Sequence, residues 1–288
     1  VVDGRFSPLL ARCRFPPPGA DVTCAVSGGA DSLALLVLAT AAGCRVTAVH
    51  VDHGLRPGSA AEAAVVAAAA RRLGARFRAE RAQVAAGPNL EARARAARYA
   101  VLPPSAVTGH TADDQAETVL LNLLRGAGLD GLAGMGRDRH PILGLRRAET
   151  RAVCDAEGLA PVEDPSNLDP VHRRNRVRSE LMPLLDAIAR RDVAPLLARQ
   201  ADLLRDEAVF LDDLSGAVDP TNARALAAAP VVLARRALRR WLGEGQDHPP
   251  DAATVERALA VARGESKASD VGAGRRLART GNVLRLEH

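Results

Sequence analysis

Aromatic residues are almost absent from this chain: one Trp, one Tyr and four Phe make up 2% of its 288 residues. A nucleic-acid partner would therefore be gripped by shape, backbone charge and hydrogen bonds more than by base stacking. Lysine is scarcer still. Lys267 is the single lysine among 39 basic residues, so arginine carries the net charge of +5. The arginine fork matches phosphate and carboxylate, although a GC-rich genome, which favours Arg and Ala codons, accounts for the same bias. Cys13, Cys24, Cys44 and Cys154 form no C-x-x-C pair, which excludes the common zinc and dithiol patterns and argues against a disulfide framework. No apolar run approaches the ~20 residues of a membrane-spanning helix. The first residues lack the basic, apolar, small-residue order of a secretory signal. Together these absences point to a cytoplasmic location and no membrane partner. What remains is 47% hydrophobic and 25% charged, which excludes wholesale disorder, and the length suits two domains.

The first half alternates strand and helix signals. Val22–Val26 is short, apolar and partly β-branched, and is followed by Ser27-Gly28-Gly29-Ala30-Asp31-Ser32. Leu33–Ala42 is a buried Leu/Ala helix and Val46–Val51 the next strand, which makes a βαβ unit and a parallel sheet. Ala60–Leu73 reads as a helix, Arg76–Glu80 as a third strand, Leu90–Ala100 as an arginine-bearing helix, and Val107-Thr108 as the end of a further strand. Gln115–Arg125 and Glu149–Gly158 are helical. After about residue 165 the sheet signals vanish. Long Ala/Leu/Arg helical patterns fill 190–214, 222–243 and 252–262, and Thr280-Gly281-Asn282 marks a terminal hairpin. The expectation is a doubly wound, mostly parallel α/β catalytic domain over residues 1–185 and a smaller, mostly helical domain over 186–288.

Three stretches carry chemistry. Two consecutive glycines between a strand and a helix start let the backbone turn tightly and present its N–H groups, and the helix adds about half a positive charge there. Ser27, Gly28, Gly29, Ala30 and Ser32 therefore make an anion cradle suited to phosphates. The stretch lacks the G-x-x-x-x-G-K-[ST] pattern of a P-loop kinase. Asp31 repels an anion unless it holds Mg²⁺ or a cationic substrate; a plain β–α turn is the alternative. Asp114 and Glu117, three apart at a helix start, share a face and suit an ammonium that must be matched and then deprotonated. Acidic residues also simply favour helix N-termini. Arg174, Arg176 and Arg178 sit in a dense basic run with Arg173, read as contacts to tRNA or ATP phosphate or as an ordinary surface.

Ser27–Ser32 resembles the signature of the N-type ATP pyrophosphatases. Val51-Asp52-His53-Gly54-Leu55-Arg56, Gly109-His110-Thr111-Ala112-Asp113-Asp114-Gln115-Ala116-Glu117-Thr118, Glu163-Asp164-Pro165-Ser166-Asn167 and Arg174-Asn175-Arg176-Val177-Arg178 narrow the resemblance to the tRNA(Ile)-lysidine synthetase family. It covers residues 22–185 in the same order and implies an adenine nucleotide alpha hydrolase-like fold. It further implies an ATP-dependent ligase, with Mg²⁺, that joins L-lysine to C2 of the wobble cytidine of a CAU-anticodon tRNA(Ile). That reaction passes through an adenylated intermediate and releases pyrophosphate and AMP. On this reading Ser27–Ser32 bind ATP, Asp114 and Glu117 receive lysine, and Arg98 assists adenylation. The segments between Tyr99 and Val107 and from Gly136 to Pro141 are shorter than the family pattern. The family's relatives include tRNA 2-thiolation enzymes, which need paired cysteines, and an RNA-binding module with a relict nucleotide fold is the non-enzymatic alternative. The sequence is silent on oligomeric state and leaves a homodimer open.

Overall fold

The computed structural model describes residues 4–52, 59–83, 90–163, 169–246 and 249–287. The chain forms two compact units, one up to Leu203 and one from Leu204 onward. In the first, α1 (Ser7–Leu10) precedes β1 (Asp21–Ala25), α2 (Ala30–Ala41), β2 (Arg45–Asp52), α3 (Ser59–Arg72), β3 (Arg76–Arg81), α4 (Leu90–Val101) and β4 (Val107–Thr108). There follow α5 (Ala112–Leu124), α6 (Leu129–Leu132), α7 (Arg147–Ala156), α8 (Arg173–Arg176), a π-helical turn (Val177–Leu181) and α9 (Met182–Ala189). The helix α10 (Ala194–Ser215) contains the division between the units.

The four strands lie in the order β3-β2-β1-β4, all parallel. Side-chain alternation sorts their residues between two faces. Val22, Cys24, Val46 and Ala48 point into a core with Leu33 and Leu36 of α2, Val66 of α3 and Val153 of α7. Val49 and Val51 point to the other face, where Leu102, just past α4, and Ala106 cover them. Both faces of the sheet are therefore packed, as in a doubly wound sheet. The stretch from Ser32 to Ala39 in α2 is buried throughout, which explains why it reads as uninterrupted Leu, Val and Ala.

The strand order creates a switch point. From β1 the chain steps outward to β2 and β3, then returns through α4 to β4 on the other side of β1. The crevice between the C-terminal ends of β1 and β4 is where such sheets bind ligands. β4 is only two residues long. A turn at Pro103–Ala106 delivers it, and the Arg139 carbonyl accepts its Thr108 N–H at 2.9 Å.

The second unit is mostly helical: α11 (Ala223–Ala228), α12 (Val231–Gly243) and α13 (Ala252–Arg263). In α12 the residues Ala234, Ala237, Leu238 and Leu242 are buried, while arginines 235, 236, 239 and 240 occupy the intervening positions. The expected hairpin is β6 (Arg276–Thr280) with β7 (Val283–Glu287), and β5 (Ala268–Asp270) adds an antiparallel third strand. The buried Arg275 donates from Nη2 to the Leu242 carbonyl at 2.6 Å, a cation answering the C-terminal end of α12. Trp241 packs against this core.

Candidate functional site

The turn after β1 is braced by its own side chains. The Val26 N–H donates to the Val49 carbonyl at 2.9 Å, and His50, buried on β2, donates from Nδ1 to the Val26 carbonyl at 3.0 Å. Gly28 then takes φ +92°, a conformation that favours glycine, and Gly29 caps α2 in an extended conformation. The Ser32 hydroxyl accepts the Ser27 N–H at 3.1 Å and donates to the Gly29 carbonyl at 2.8 Å. Its single proton thus ties the turn together. The Ser32 and Leu33 N–H groups donate to the Gly29 carbonyl at 3.1 and 3.0 Å, so the donors this helix start leaves over are those before Ser32.

The loop after β4 presses directly on this turn. A Cβ built on Gly109 would lie 2.4 Å from the Asp31 carbonyl oxygen and 2.9 Å from the Ser32 Cα. Only glycine permits that approach, and it brings the start of α5 beside Asp31. Thr111 precedes α5, and its N–H and hydroxyl both donate to Asp114 Oδ2, at 2.9 and 3.0 Å. One oxygen of Asp114 therefore caps the helix and the other faces the site. Asp113 does a different task. It accepts two hydrogen bonds from the Arg146 guanidinium, at 2.8 and 3.0 Å, and the Arg147 N–H at 2.8 Å, fixing the start of α7.

Arg147 is the hub. Its Nη2 lies 3.1 Å from Asp114 Oδ1 and 3.2 Å from Glu117 Oε1, and its Nε lies 3.7 Å from Asp31 Oδ2. A cation at a helix N-terminus opposes the macrodipole; here three carboxylates offset that cost. Glu117, 1% exposed, is gripped by two more guanidinium groups. Arg178 donates at 2.7 and 3.0 Å, and Arg174 donates from Nε at 3.0 Å and from Nη2 to Thr118 Oγ1 at 2.9 Å. The charges shift one another. Burial pushes the Asp31 carboxyl up, helped by the Asp114 charge, to about 6. Burial also works upward on Asp114, but Arg147, His110, the Thr111 N–H and Arg174 outweigh it and hold Asp114 below the usual carboxylate range. Burial disfavours the Arg147 charge, yet Asp114, Glu117, Asp31 and Asp113 together hold its pKa above the ordinary value.

The structure thus joins Asp31, Asp114 and Glu117 through Arg147, a residue the sequence reading passes over. Its signal is the pair Arg146-Arg147 opening a helix, the wrong charge for that end. Thr150, one turn on, donates its hydroxyl to Asp31 Oδ1 and is likewise missed. Arg174 and Arg178, four apart, share a face and turn inward to Glu117. Arg176, on the other side, forms a two-pronged exposed pair with Glu180 at 2.8 and 2.9 Å. Arg176, Arg173 and Arg125 rim a groove of about 460 Å³ floored by Leu121, Leu124 and Leu184. Arg98 sits half-buried in the last turn of α4 and makes none of the ion pairs that join Asp31, Asp114 and Glu117. His53 and residues 164–168 lie outside the described residues. Beside α5, the Thr108 hydroxyl oxygen lies 2.7 Å from Nδ1 of both His110 and His140.

Comparison with known proteins identifies the family. Residues 7–185 match the PP-loop domain family. The tRNA(Ile)-lysidine synthase of Nocardia farcinica is 46% identical over 254 residues, covering 81% of this chain and 80% of that protein. The tRNA(Ile)-lysidine synthase of Thermobifida fusca is 41% identical over 275 residues, covering 86% and 84%. Among solved structures, the U34-tRNA thiolase NcsA from Methanococcus maripaludis with its [4Fe-4S] cluster superposes with a TM-score of 0.56 at 16% identity, covering 70% of this chain and 79% of that one. That likeness concerns the fold alone.

Proposed function

Because the chain belongs to the tRNA(Ile)-lysidine synthase family of PP-loop proteins, we propose that it joins L-lysine to C2 of the wobble cytidine of tRNA(Ile) with a CAU anticodon, at the expense of ATP. The observation that carries this reading is the meeting of an anion cradle and a buried carboxylate pair at one crevice, with Arg147 touching Asp31, Asp114 and Glu117.

The chemistry divides into two displacements. In the first, the cytidine O2 attacks the α-phosphorus of ATP, an O–P bond forms, and the bond to the β-phosphate oxygen breaks to release pyrophosphate. The amides at Gly28, Gly29 and Ala30 and the positive end of α2 meet the charge that builds on the phosphates; such fixed donors are a large part of phosphoryl-transfer catalysis. Ser27 and Ser32 hold the turn in the shape that presents them. In the second, the side-chain amine of lysine attacks C2, a C–N bond forms and the C2–O bond breaks to release AMP. The amine must first lose a proton, since a free ammonium of pKa ~10.4 is no nucleophile. Asp114 and Glu117 hold the ammonium, and a carboxylate of the pair accepts that proton.

Asp31 fits a divalent cation. Its carboxylate stands at the cradle, and Arg147 Nε approaches its Oδ2 no closer than 3.7 Å, beyond hydrogen-bond distance. Among the described residues no group of three or more metal-ligating side chains gathers, so Asp31 would share Mg²⁺ with phosphate oxygens and water. When bound, the cation would neutralise charge on the triphosphate. Residues 1–185 are read as the catalytic domain and 186–288 as a tRNA-binding domain. Arg176, with Arg125 and Arg173, presents charge to the tRNA backbone; Arg174 and Arg178 neutralise Glu117. Arg98 stays assigned to adenylation by resemblance.

Thiolation is disfavoured by the cysteines themselves. Burial pushes the Cys13 and Cys24 thiols up to about 12 and Cys154 to about 11, so none is ready to act as a thiolate. The deciding experiment mixes purified protein, ATP, Mg²⁺ and a CAU tRNA(Ile) transcript with lysine, cysteine or sulfide. Pyrophosphate release with lysine incorporated into the tRNA supports the reading. Incorporation of sulfur in its place, or no pyrophosphate with any donor, refutes it.

A further inference from the structure

The carboxylates that would hold lysine already have cationic partners. Asp31, Asp114 and Glu117 face Arg147, Arg174 and Arg178, three negative charges against three positive ones. Glu117 alone receives four hydrogen bonds from the three guanidinium groups. A free lysine brings two ammonium groups and one carboxylate, a net positive charge. A neutral, internally satisfied cluster offers that charge no vacancy.

The three arginines are not equivalent. Arg174 and Arg178 are bound to Glu117 by close hydrogen bonds, and Arg174 is also fixed to Thr118. Arg147 makes single, longer contacts to Glu117 and Asp114, at 3.2 and 3.1 Å. It also reaches toward Asp31 in the first turn of α2, so its guanidinium stands one residue from the phosphate cradle. A polyanion placed in that cradle competes directly with Glu117 and Asp114 for the same fork, and a guanidinium engages phosphate as readily as carboxylate.

We propose that Arg147 is the positioning residue that couples the two small substrates. Without nucleotide it occupies the cationic place beside Asp114 and Glu117; the triphosphate draws it away, and Asp114, whose nearest guanidinium it is, is left with an open place that fits an ammonium of lysine, while Arg174 and Arg178 stay on Glu117. ATP therefore strengthens lysine binding, and by linkage lysine strengthens ATP binding by the same factor. The order has a chemical use, because the amine is admitted only when the nucleotide that activates the cytidine is in place. This inference rests on the ligase reading and refines it.

The test is calorimetric titration of L-lysine into the full chain, alone and saturated with α,β-methylene-ATP, which cannot release pyrophosphate. Lysine should bind about tenfold more tightly with the analogue, within the usual range of coupling between sites. Titrating the analogue with and without lysine should give the same ratio. In Arg147→Gln, lysine should bind the nucleotide-free protein more tightly than it binds the wild type, and the ratio should fall to near one. Arg147→Lys keeps a mobile cation and should keep a ratio above one. If Arg147→Gln does not fold, the wild-type and Arg147→Lys titrations decide alone. A wild-type ratio of one in a protein that makes lysidine overturns this inference and leaves the ligase reading standing, and a folded Arg147→Gln with the full wild-type ratio does the same. A wild-type protein that binds neither ligand overturns both.

Discussion

Gly109→Ala isolates the contact on which the site geometry depends. Gly109 does not occupy the left-handed region, so alanine is conformationally acceptable there and the effect is purely steric. The new Cβ would lie 2.4 Å from the Asp31 carbonyl oxygen, 2.7 Å from its carbonyl carbon and 2.9 Å from the Ser32 Cα. All three are backbone atoms that no rotamer change can move. Ordinary contact returns only when the β4–α5 loop and the first turn of α2 separate by about 1 Å. That displacement acts directly between the phosphate cradle and the Asp114–Glu117 pair. Misplacement by about 1 Å costs on the order of a hundredfold in rate, while overpacking of this kind costs roughly 1–3 kcal/mol of stability. The assay is steady-state pyrophosphate release with ATP, lysine and CAU tRNA, beside a thermal melt. The expected result is a folded protein with a modestly lowered Tm and a kcat reduced about a hundredfold. Full activity in a folded Gly109→Ala protein would refute the claim that this close approach sets the alignment of the site.

Three further outcomes follow from the same contacts. Glu117→Ala should spare adenylation more than lysine transfer, measured by pyrophosphate release and lysine incorporation in separate half-reactions; equal loss in both would remove the division of labour between cradle and carboxylates. Asp31 is an acid whose folded pKa, about 6, is raised above its ordinary 3.8, so the folded state binds more protons between those values and stability falls as pH rises through that window. Asp31→Asn should therefore raise Tm at pH 8, by the equivalent of at most about 3 kcal/mol, leave it unchanged at pH 3, and abolish pyrophosphate release; a Tm gain that is the same at both pH values would contradict the burial argument. Arg176→Gln should leave Tm unmoved, because its pair with Glu180 is exposed, yet flatten the salt dependence of tRNA binding by about one unit of slope; an unchanged slope takes Arg176 out of the tRNA footprint.

The parallel sheet was readable because its determinants are local. Val22–Val26 and Val46–Val51 are apolar runs bounded by turn residues, and the Leu/Ala stretch between them is a helix buried throughout. β4 is legible only as the end of a strand, since two residues carry no alternation and Gly109 alone marks where the turn begins. β5 left no signal: Ala268-Ser269-Asp270 has little intrinsic strand preference and is a strand because β6 pairs with it. Asp31, Asp114 and Glu117 could be singled out because each lies at a strand–helix junction with a chemistry that the junction does not require. Their convergence could not, because it depends on Gly109 pressing against Asp31, 78 positions earlier along a folded path that no local pattern records.

The arginines show where local reading ends. A dense basic run is ambiguous by composition, and the residues split according to their partners: Arg174 and Arg178 meet Glu117 at sequence separations of 57 and 61, while Arg176 pairs with Glu180, four residues on. Genome composition can explain why this chain holds many arginines; it does not explain why three of them converge on one buried carboxylate. An ammonium in those places would be a compact point charge without the rigid planar fork by which Arg178 grips both oxygens of Glu117 and Arg174 spans Glu117 and Thr118. It would also present to the carboxylates the same group that the free lysine substrate must offer. A site lined by guanidinium groups keeps the ammonium chemically distinct from its surroundings, so that the group admitted beside Asp114 and Glu117 is set apart by its geometry as well as its charge.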